Sequence, residues 1–91
     1  MEHLHQELDL TPDDVVEVTL DHAANVLFLD PSNYLAYQQN RPYRYYGGYI
    51  TQSPYQFHAP HRGRWHLVVD LGGGPGMVRA AMRVISPSAV A

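Results

Sequence analysis

Apolar and polar residues alternate with a period of two along much of this 91-residue chain. In residues 15–21, Val16, Val18 and Leu20 occupy one phase, and mostly polar side chains occupy the other. Successive side chains of a β-strand point to opposite faces, so this pattern predicts a strand with one buried face. The alternation constrains the fold more than any other feature of the sequence.

Two later segments show the same alternation, and a third is largely apolar. Trp65 shares one phase with Leu67 and Val69, and the apolar residues of 77–85 alternate with arginines in a way that no single helix face would gather. The run 25–29 indicates either a strand buried on both faces or a sandwich-core strand. These segments predict an all-β, β-sandwich-like domain of six to eight short strands. The residues expected on its inward faces are Val16, Val18, Leu20, Val26, Phe28, Trp65, Leu67, Val69, Val78, Ala80, Met82 and Val84.

Proline and glycine mark where the strands are interrupted. Asp30 followed by Pro31 is typical of a helix N-cap and first helical position, and it predicts one short helix or helical turn after Asp30. Adjacent glycines at 47 and 48 predict a bulge or tight bend. Flanking prolines limit residues 55–58 to an edge strand.

The length of the chain allows one small domain. We predict that residues 1–85 form a single β-sandwich-like domain and that residues 86–91 form a frayed C-terminal tail. The glycine-rich segment 72–76 predicts a hairpin connection, because it lacks the residues of a phosphate-binding loop. A core of this size leaves little net stability, and a homodimer is one way to add to it.

Composition excludes several classes of protein and partner. The chain has no cysteine, which excludes disulfide scaffolds and cysteine-based zinc sites. Its net charge is −3, which argues against a nucleic-acid partner. No apolar run approaches the roughly 20 residues of a membrane span. The N-terminal residues do not resemble a signal peptide, so we expect a cytoplasmic protein with no membrane partner.

Short segments spread along the chain carry a resemblance through their order and spacing. They are Val15-Val16-Glu17-Val18 with Leu20-Asp21, Asn25-Val26 leading to Asp30 with Ser32-Asn33-Tyr34, Tyr45-Tyr46-Gly47-Gly48, and Gly63 with Trp65 and Val68-Val69-Asp70-Leu71-Gly72-Gly73. Together they cover most of residues 3–85, and they resemble a small bacterial family, domain of unknown function 1883. The resemblance implies a compact β-sandwich-like domain that occurs alone or beside TIR-type signalling domains. It implies no catalytic residues.

Six of the seven tyrosines lie between residues 34 and 49, together with two arginines. Tyrosine offers a stacking face and a hydroxyl, and arginine offers a bidentate fork. This composition suits a non-catalytic binding or sensing module for a partner protein or a small polar ligand, although tyrosine is also common in strands and small cores. The ligand-binding candidates are Tyr34, Arg44, Tyr45, Tyr46 and Tyr49.

The histidines support an alternative function, a His-based metal-binding protein with hydrolysis as the activity to test. Glu7 or Asp70 could add a carboxylate ligand. The spacing matches no established ligand motif, so exposed or half-buried strand and turn histidines explain the sequence better. The candidate metal ligands are His3, His5, His58, His61 and His66.

A third interpretation is a structural oligomerisation domain without a ligand, which would need a large apolar patch across a symmetry axis. Enzyme activity has the least support, because the chain has no cysteine and no serine in a GxSxG context. We therefore expect no catalytic residues and no cofactor.

Overall fold

The computed structural model describes residues 3–70 and 78–86, which form seven strands and one helix. This confirms the all-β prediction, including the short helix after Asp30. In chain order the elements are β1 (His3–Leu10), β2 (Val15–Leu20), β3 (Ala24–Leu29), α1 (Pro31–Gln38), β4 (Tyr46–Ile50), β5 (Tyr55–His58), β6 (Gly63–Asp70) and β7 (Ala80–Ile85).

The strands form two antiparallel sheets that pack face to face. The larger sheet has the order β1-β6-β3-β4 and the smaller has the order β5-β2-β7, so β5 is an edge strand as predicted. Apolar side chains of both sheets meet in one core, where Phe28 stacks on Phe57 with ring centroids 4.0 Å apart. Trp65 is 1% exposed and packs edge-on against Phe57, which confirms its place in the core.

The inward phases predicted from the sequence are confirmed for most positions. Leu20, Val78, Ala80 and Met82 are half-buried against the core. The prediction that Val84 is a core residue is wrong, because its side chain is 41% exposed although it pairs with the buried Val16. It lies on β7, which is an edge strand of the smaller sheet in the part of the chain that the structure describes. The fully confirmed set is Val16, Val18, Val26, Phe28, Trp65, Leu67 and Val69.

Helix α1 begins where the sequence predicts. The side chain of Asp30 accepts the backbone N–H of Asn33 at 2.8 Å, and Pro31 is the first helical residue. The helix packs on the outer face of the larger sheet, where Tyr34 and Tyr37 cover a second apolar cluster. This explains why β3 is buried on both faces. The residues of the cluster are Leu27, Leu29 and Val68.

The two glycines of β4 do not form the predicted bulge. Gly47 and Gly48 pair in continuous register with Leu27 and Val26 of β3. Their φ angles are +113° and +141°, a region that favours glycine. A Cβ at Gly47 would also collide with the carbonyl oxygen of Val26, whereas a Cβ at Gly48 would meet open space. Close backbone approach therefore explains why position 47 is glycine.

The predicted hairpin at 72–76 is wrong, because the strands on either side of it, β6 and β7, belong to different sheets. The segment itself lies outside the described residues, as does the predicted tail apart from Ser86.

The two glycines give a matched pair of stability variants. We expect Gly48→Ala to lower the free energy of unfolding by about 1–2 kcal/mol through its φ angle alone. Gly47→Ala carries the same cost and must also displace the β3 backbone, so we expect a loss of about 3 kcal/mol or more. Urea unfolding of both variants measures the difference. Equal losses would show that the approach of β4 to Val26 is not a constraint.

Candidate functional site

The outer face of the larger sheet carries two groups of polar and aromatic side chains. Alternation along β1 and β6 places His5, Glu7, His66 and Asp70 on this face, opposite the core. On β4, the pairing of Tyr49 with Asn25 extends the same face to the other edge of the sheet. Helix α1 packs over the middle, so each group combines sheet residues with a helix tyrosine.

The first group, which we call the histidine cluster, consists of His5, Glu7 and His66. Glu7 and His66 are direct cross-strand partners, and His5 lies two residues before Glu7 on the same face. The Nε2 atom of His5 lies 2.9 Å from Nδ1 of His66. One potential ligand atom of each residue lies within 4.8 Å of the other two. The three side chains therefore converge on one point above the sheet.

Tyr34 holds the two imidazole rings from the helix side. Its ring is nearly parallel to those of His5 and His66, with centroids 4.4 Å and 4.2 Å away. Its hydroxyl accepts a hydrogen bond from Nε2 of Gln38 at 3.2 Å and lies 3.2 Å from Nδ1 of His5. The hydroxyl can donate its own proton to Nδ1 of His5, which leaves the proton of that ring on Nε2, facing His66.

Burial is the first cause that lowers the pKa of His66, and the nearby His5 lowers it further. Glu7 opposes this effect, but its carboxylate also faces Arg64, whose guanidinium lies 3.6 Å away. Arg64 reaches Asp9 at 3.4 Å as well, and all three of these charged side chains are more than half exposed. The imidazole of His66 is therefore neutral near pH 7, the form that can accept a hydrogen bond or bind a metal.

The second group, which we call the tyrosine cleft, lies at the other end of the contact between α1 and the sheet. It is an open cleft with a volume of about 520 Å³. Tyrosines form its walls, and Asn25 and Asp70 belong to the sheet beneath them. The lining residues are Asn25, Leu27, Tyr37, Asn40, Tyr43, Tyr45, Gly48, Tyr49 and Asp70.

Asp70 is the buried charge of this cleft, with 6% of its surface exposed. Its carboxylate accepts the side-chain amide of Asn25 at 3.0 Å and the hydroxyl of Tyr37 at 3.3 Å. Burial and the negative charge of Asp70 raise the pKa of Tyr37 to about 12. Burial also raises the pKa of Tyr43. These hydroxyls keep their protons, so the charge of the cleft comes from the carboxylate.

The structure separates the five ligand-binding candidates. Tyr45 and Tyr49 line the tyrosine cleft, whereas Tyr34 belongs to the histidine cluster. Tyr46 faces the core side of β4, with its ring 5.8 Å from the rings of Phe57 and Trp65. Arg44 is exposed outside the cleft lining, and its backbone N–H donates to Oδ1 of Asn33 at 2.7 Å.

Residues Tyr37, Tyr43 and Asp70 complete the cleft but were not among those candidates. Tyr37 lies three residues after Tyr34 in α1, a spacing that places both on one helix face. This spacing was available in the sequence. The proximity of Tyr43 to Asp70 depends on how α1 packs on the sheet, and no local pattern reports it.

The candidate metal ligands converge only in part. His5 and His66 meet, together with Glu7. His58 lies in the smaller sheet opposite Val15. The ring of His61 packs 4.8 Å from that of Trp65, on the core side of β6. His3 begins β1, and its side chain lies outside the described residues.

The family model of a domain of unknown function, DUF1883, matches residues 1–88. The chain belongs to this family, which confirms the resemblance found in the sequence. Searches of curated proteins and of solved structures found no match. Within the described residues, no helix is both long and apolar enough to span a membrane.

The lowered pKa of His66 predicts a pH-dependent stability. Below about pH 6.5 the unfolded chain takes up a proton on this histidine that the folded chain does not, so the free energy of unfolding falls as pH drops from 7 to 5. We expect His66→Phe to flatten this slope and His58→Gln, on an exposed histidine, to leave it unchanged. Urea unfolding at several pH values measures the slope.

Carboxylates act in a lower pH window and do not obscure this test. Four of them have lowered pKa values, so the stability they contribute is lost as pH falls below about 4.5. They are Asp14, Glu17, Asp21 and Asp30. An unchanged slope in His66→Phe between pH 7 and 5 would contradict the assignment to His66.

Proposed function

We propose that this chain is a non-catalytic binding module whose tyrosine cleft holds the positively charged group of a small polar ligand. The observation that carries the proposal is the buried carboxylate of Asp70 beneath a wall of four tyrosines. The volume of the cleft, about 520 Å³, lies within the usual range of small-molecule sites, roughly 300–1,000 Å³.

Both components of the cleft favour a cation. The faces of aromatic rings attract ammonium and guanidinium groups, and the attraction increases where water is excluded. The carboxylate of Asp70 adds a full negative charge, which shows its effect in the raised pKa of Tyr37.

This proposal narrows the Tyr/Arg-rich surface expected from the sequence. Tyr45 and Tyr49 keep their role as ligand contacts, and Tyr37 and Tyr43 join them. Arg44 is not needed, because it lies outside the lining. A lysine or arginine side chain of a partner protein presents the same chemistry as a small cation, so a protein partner is the second occupant to test. The lack of cysteine is compatible with a cytoplasmic location, which belongs to the same proposal.

A pair of probes that differ only in charge tests the preference for a cation. N-acetylargininamide carries a guanidinium, and N-acetylcitrullinamide replaces it with a neutral group of similar shape. We expect backbone amide shifts at Asn25, Tyr49 and Asp70 in an NMR titration, with about tenfold tighter binding of the cationic probe. Equal binding of the two probes, or shifts confined to other surfaces, would contradict the proposal.

Strand β4 offers matched variants for the same titration. Tyr49 and Tyr46 lie on opposite faces of this strand, and both are at least half exposed. We expect Tyr49→Ala to weaken binding of the cationic probe by roughly threefold to tenfold and Tyr46→Ala to leave it unchanged. Asp70→Asn should remove the difference between the two probes. Thermal melts of each variant confirm that the fold is retained.

Native mass spectrometry of the untagged protein addresses the alternative of an oligomerisation domain. A monomer that retains a small organic cation supports the binding module. A dimer in which the cationic probe cannot reach Tyr49 would favour the oligomerisation domain instead.

A further inference from the structure

We infer that the histidine cluster is a binding site for a divalent transition-metal ion of the Zn²⁺ class, with Nε2 of His5, Nδ1 of His66 and a carboxylate oxygen of Glu7 as ligands. Imidazole nitrogens and carboxylate oxygens are ligands that such ions accept. The site shares no residue with the tyrosine cleft, so it stands independently of the proposed binding function.

The distances between the ligand atoms fit an ion after a small adjustment. One potential ligand atom of each residue lies within 4.8 Å of the other two, and Nε2 of His5 is 2.9 Å from Nδ1 of His66. Two nitrogen ligands of a tetrahedral Zn²⁺ ion, each about 2.0–2.1 Å from the metal, are roughly 3.3 Å apart. The rings therefore need to separate by only about 0.5 Å and turn toward a common point.

The fold places these ligands before any ion binds. Glu7 and His66 are cross-strand neighbours in the register of β1 and β6, so the backbone fixes their separation. Tyr34 stacks on both imidazoles and limits their rotation. His66 is buried, so the packing around its ring holds the ligand nitrogen in place.

Tyr34 would support the metal through its hydroxyl. When the hydroxyl of Tyr34 donates to Nδ1 of His5, the proton of the His5 ring lies on Nε2, between His5 and His66. Metal binding needs that nitrogen free, so the neutral ring keeps its one proton by carrying it on Nδ1 instead. The hydroxyl oxygen of Tyr34, 3.2 Å from Nδ1, then accepts that proton in a hydrogen bond. No net proton is released, and Tyr34 becomes the outer-shell partner that ligating histidines usually have.

Arg64 competes with the metal for Glu7. Its guanidinium lies 3.6 Å from the carboxylate of Glu7, but both side chains are more than half exposed. An exposed ion pair of this kind contributes little to stability, and Asp9 can pair with Arg64 without Glu7. Removal of the arginine charge should therefore strengthen metal binding, a direction opposite to that expected for loss of a ligand.

Zn²⁺ titration of metal-free, full-length protein by isothermal titration calorimetry tests the site, with Co²⁺ absorption as a second readout of a tetrahedral ligand set. We expect one ion per chain. His5→Gln removes an exposed ligand at little risk to folding and should weaken binding at least 100-fold. His58→Gln, which alters an exposed histidine of the smaller sheet, should leave the affinity unchanged.

Two further variants distinguish a preformed metal site from nonspecific binding of Zn²⁺ to histidines. Tyr34→Phe keeps the ring stack, loses the hydroxyl and should weaken Zn²⁺ binding about tenfold. Arg64→Gln should tighten it about twofold to fivefold. Absence of saturable Zn²⁺ binding, or equal losses in His5→Gln and His58→Gln, would overturn the inference.

Discussion

The packing of α1 on the outer face of the larger sheet is the contact on which the rest of this surface depends. A helix of eight residues is too short to be stable alone, so its order relies on the Asp30 cap and on burial. The helix in turn covers apolar side chains of β3 and β6 that would otherwise face water. The same contact brings Tyr34 to the histidine cluster and Tyr37 to Asp70. The stability of the helix and the assembly of both side-chain groups therefore depend on the same interface.

Strand β6 and helix α1 run alongside each other, and this explains why there are two groups of side chains. His66 and Asp70 are four residues apart on the same face of β6, which separates them by roughly 13 Å. Tyr34 and Tyr37 are one helical turn apart and lean toward opposite ends of that segment. One group gathers two imidazoles beside a carboxylate, and the other gathers phenol rings around a carboxylate. The two proposals differ accordingly in the type of cation.

Local patterns were sufficient to predict the sandwich, because strands and caps are encoded by near neighbours in sequence. Alternation around Val16 and Trp65 identified buried faces, and Asp30 with Pro31 identified the start of the helix. Strand β1 was missed as an element, although Leu8 and Leu10 alternate with polar residues there. The prediction of a bulge at Gly47 was wrong, because this glycine allows the backbone of β3 to approach closely. The sequence of β4 alone does not indicate that approach.

The candidate site could be predicted only in part, because its members come from distant segments. His5 and His66 are 61 residues apart and meet through the pairing of β1 with β6. A search for nearby histidines joins His66 to His61, whose ring instead packs against Trp65 on the core side of the sheet. The alternation rule also separates Tyr46 from Tyr49 on β4 and could have been applied to the sequence. The partnership of Tyr37 with Asp70 needs the position of the helix on the sheet.

Each group contains residues of one edge strand, one or two central strands and the helix, and the connection from α1 to β4 adds Tyr43 and Tyr45 to the cleft. The division of roles between central and edge strands has a physical basis. The central strands β6 and β3 supply the polar groups that need burial: His66, Asp70 and Asn25. The edge strands β1 and β4 supply His5 and Tyr49, which reach solvent and can meet an incoming ion or ligand. Buried groups have fixed positions and perturbed charges, whereas edge residues can change with little cost to the core. A small sandwich can therefore keep its fold while the exposed half of each group varies.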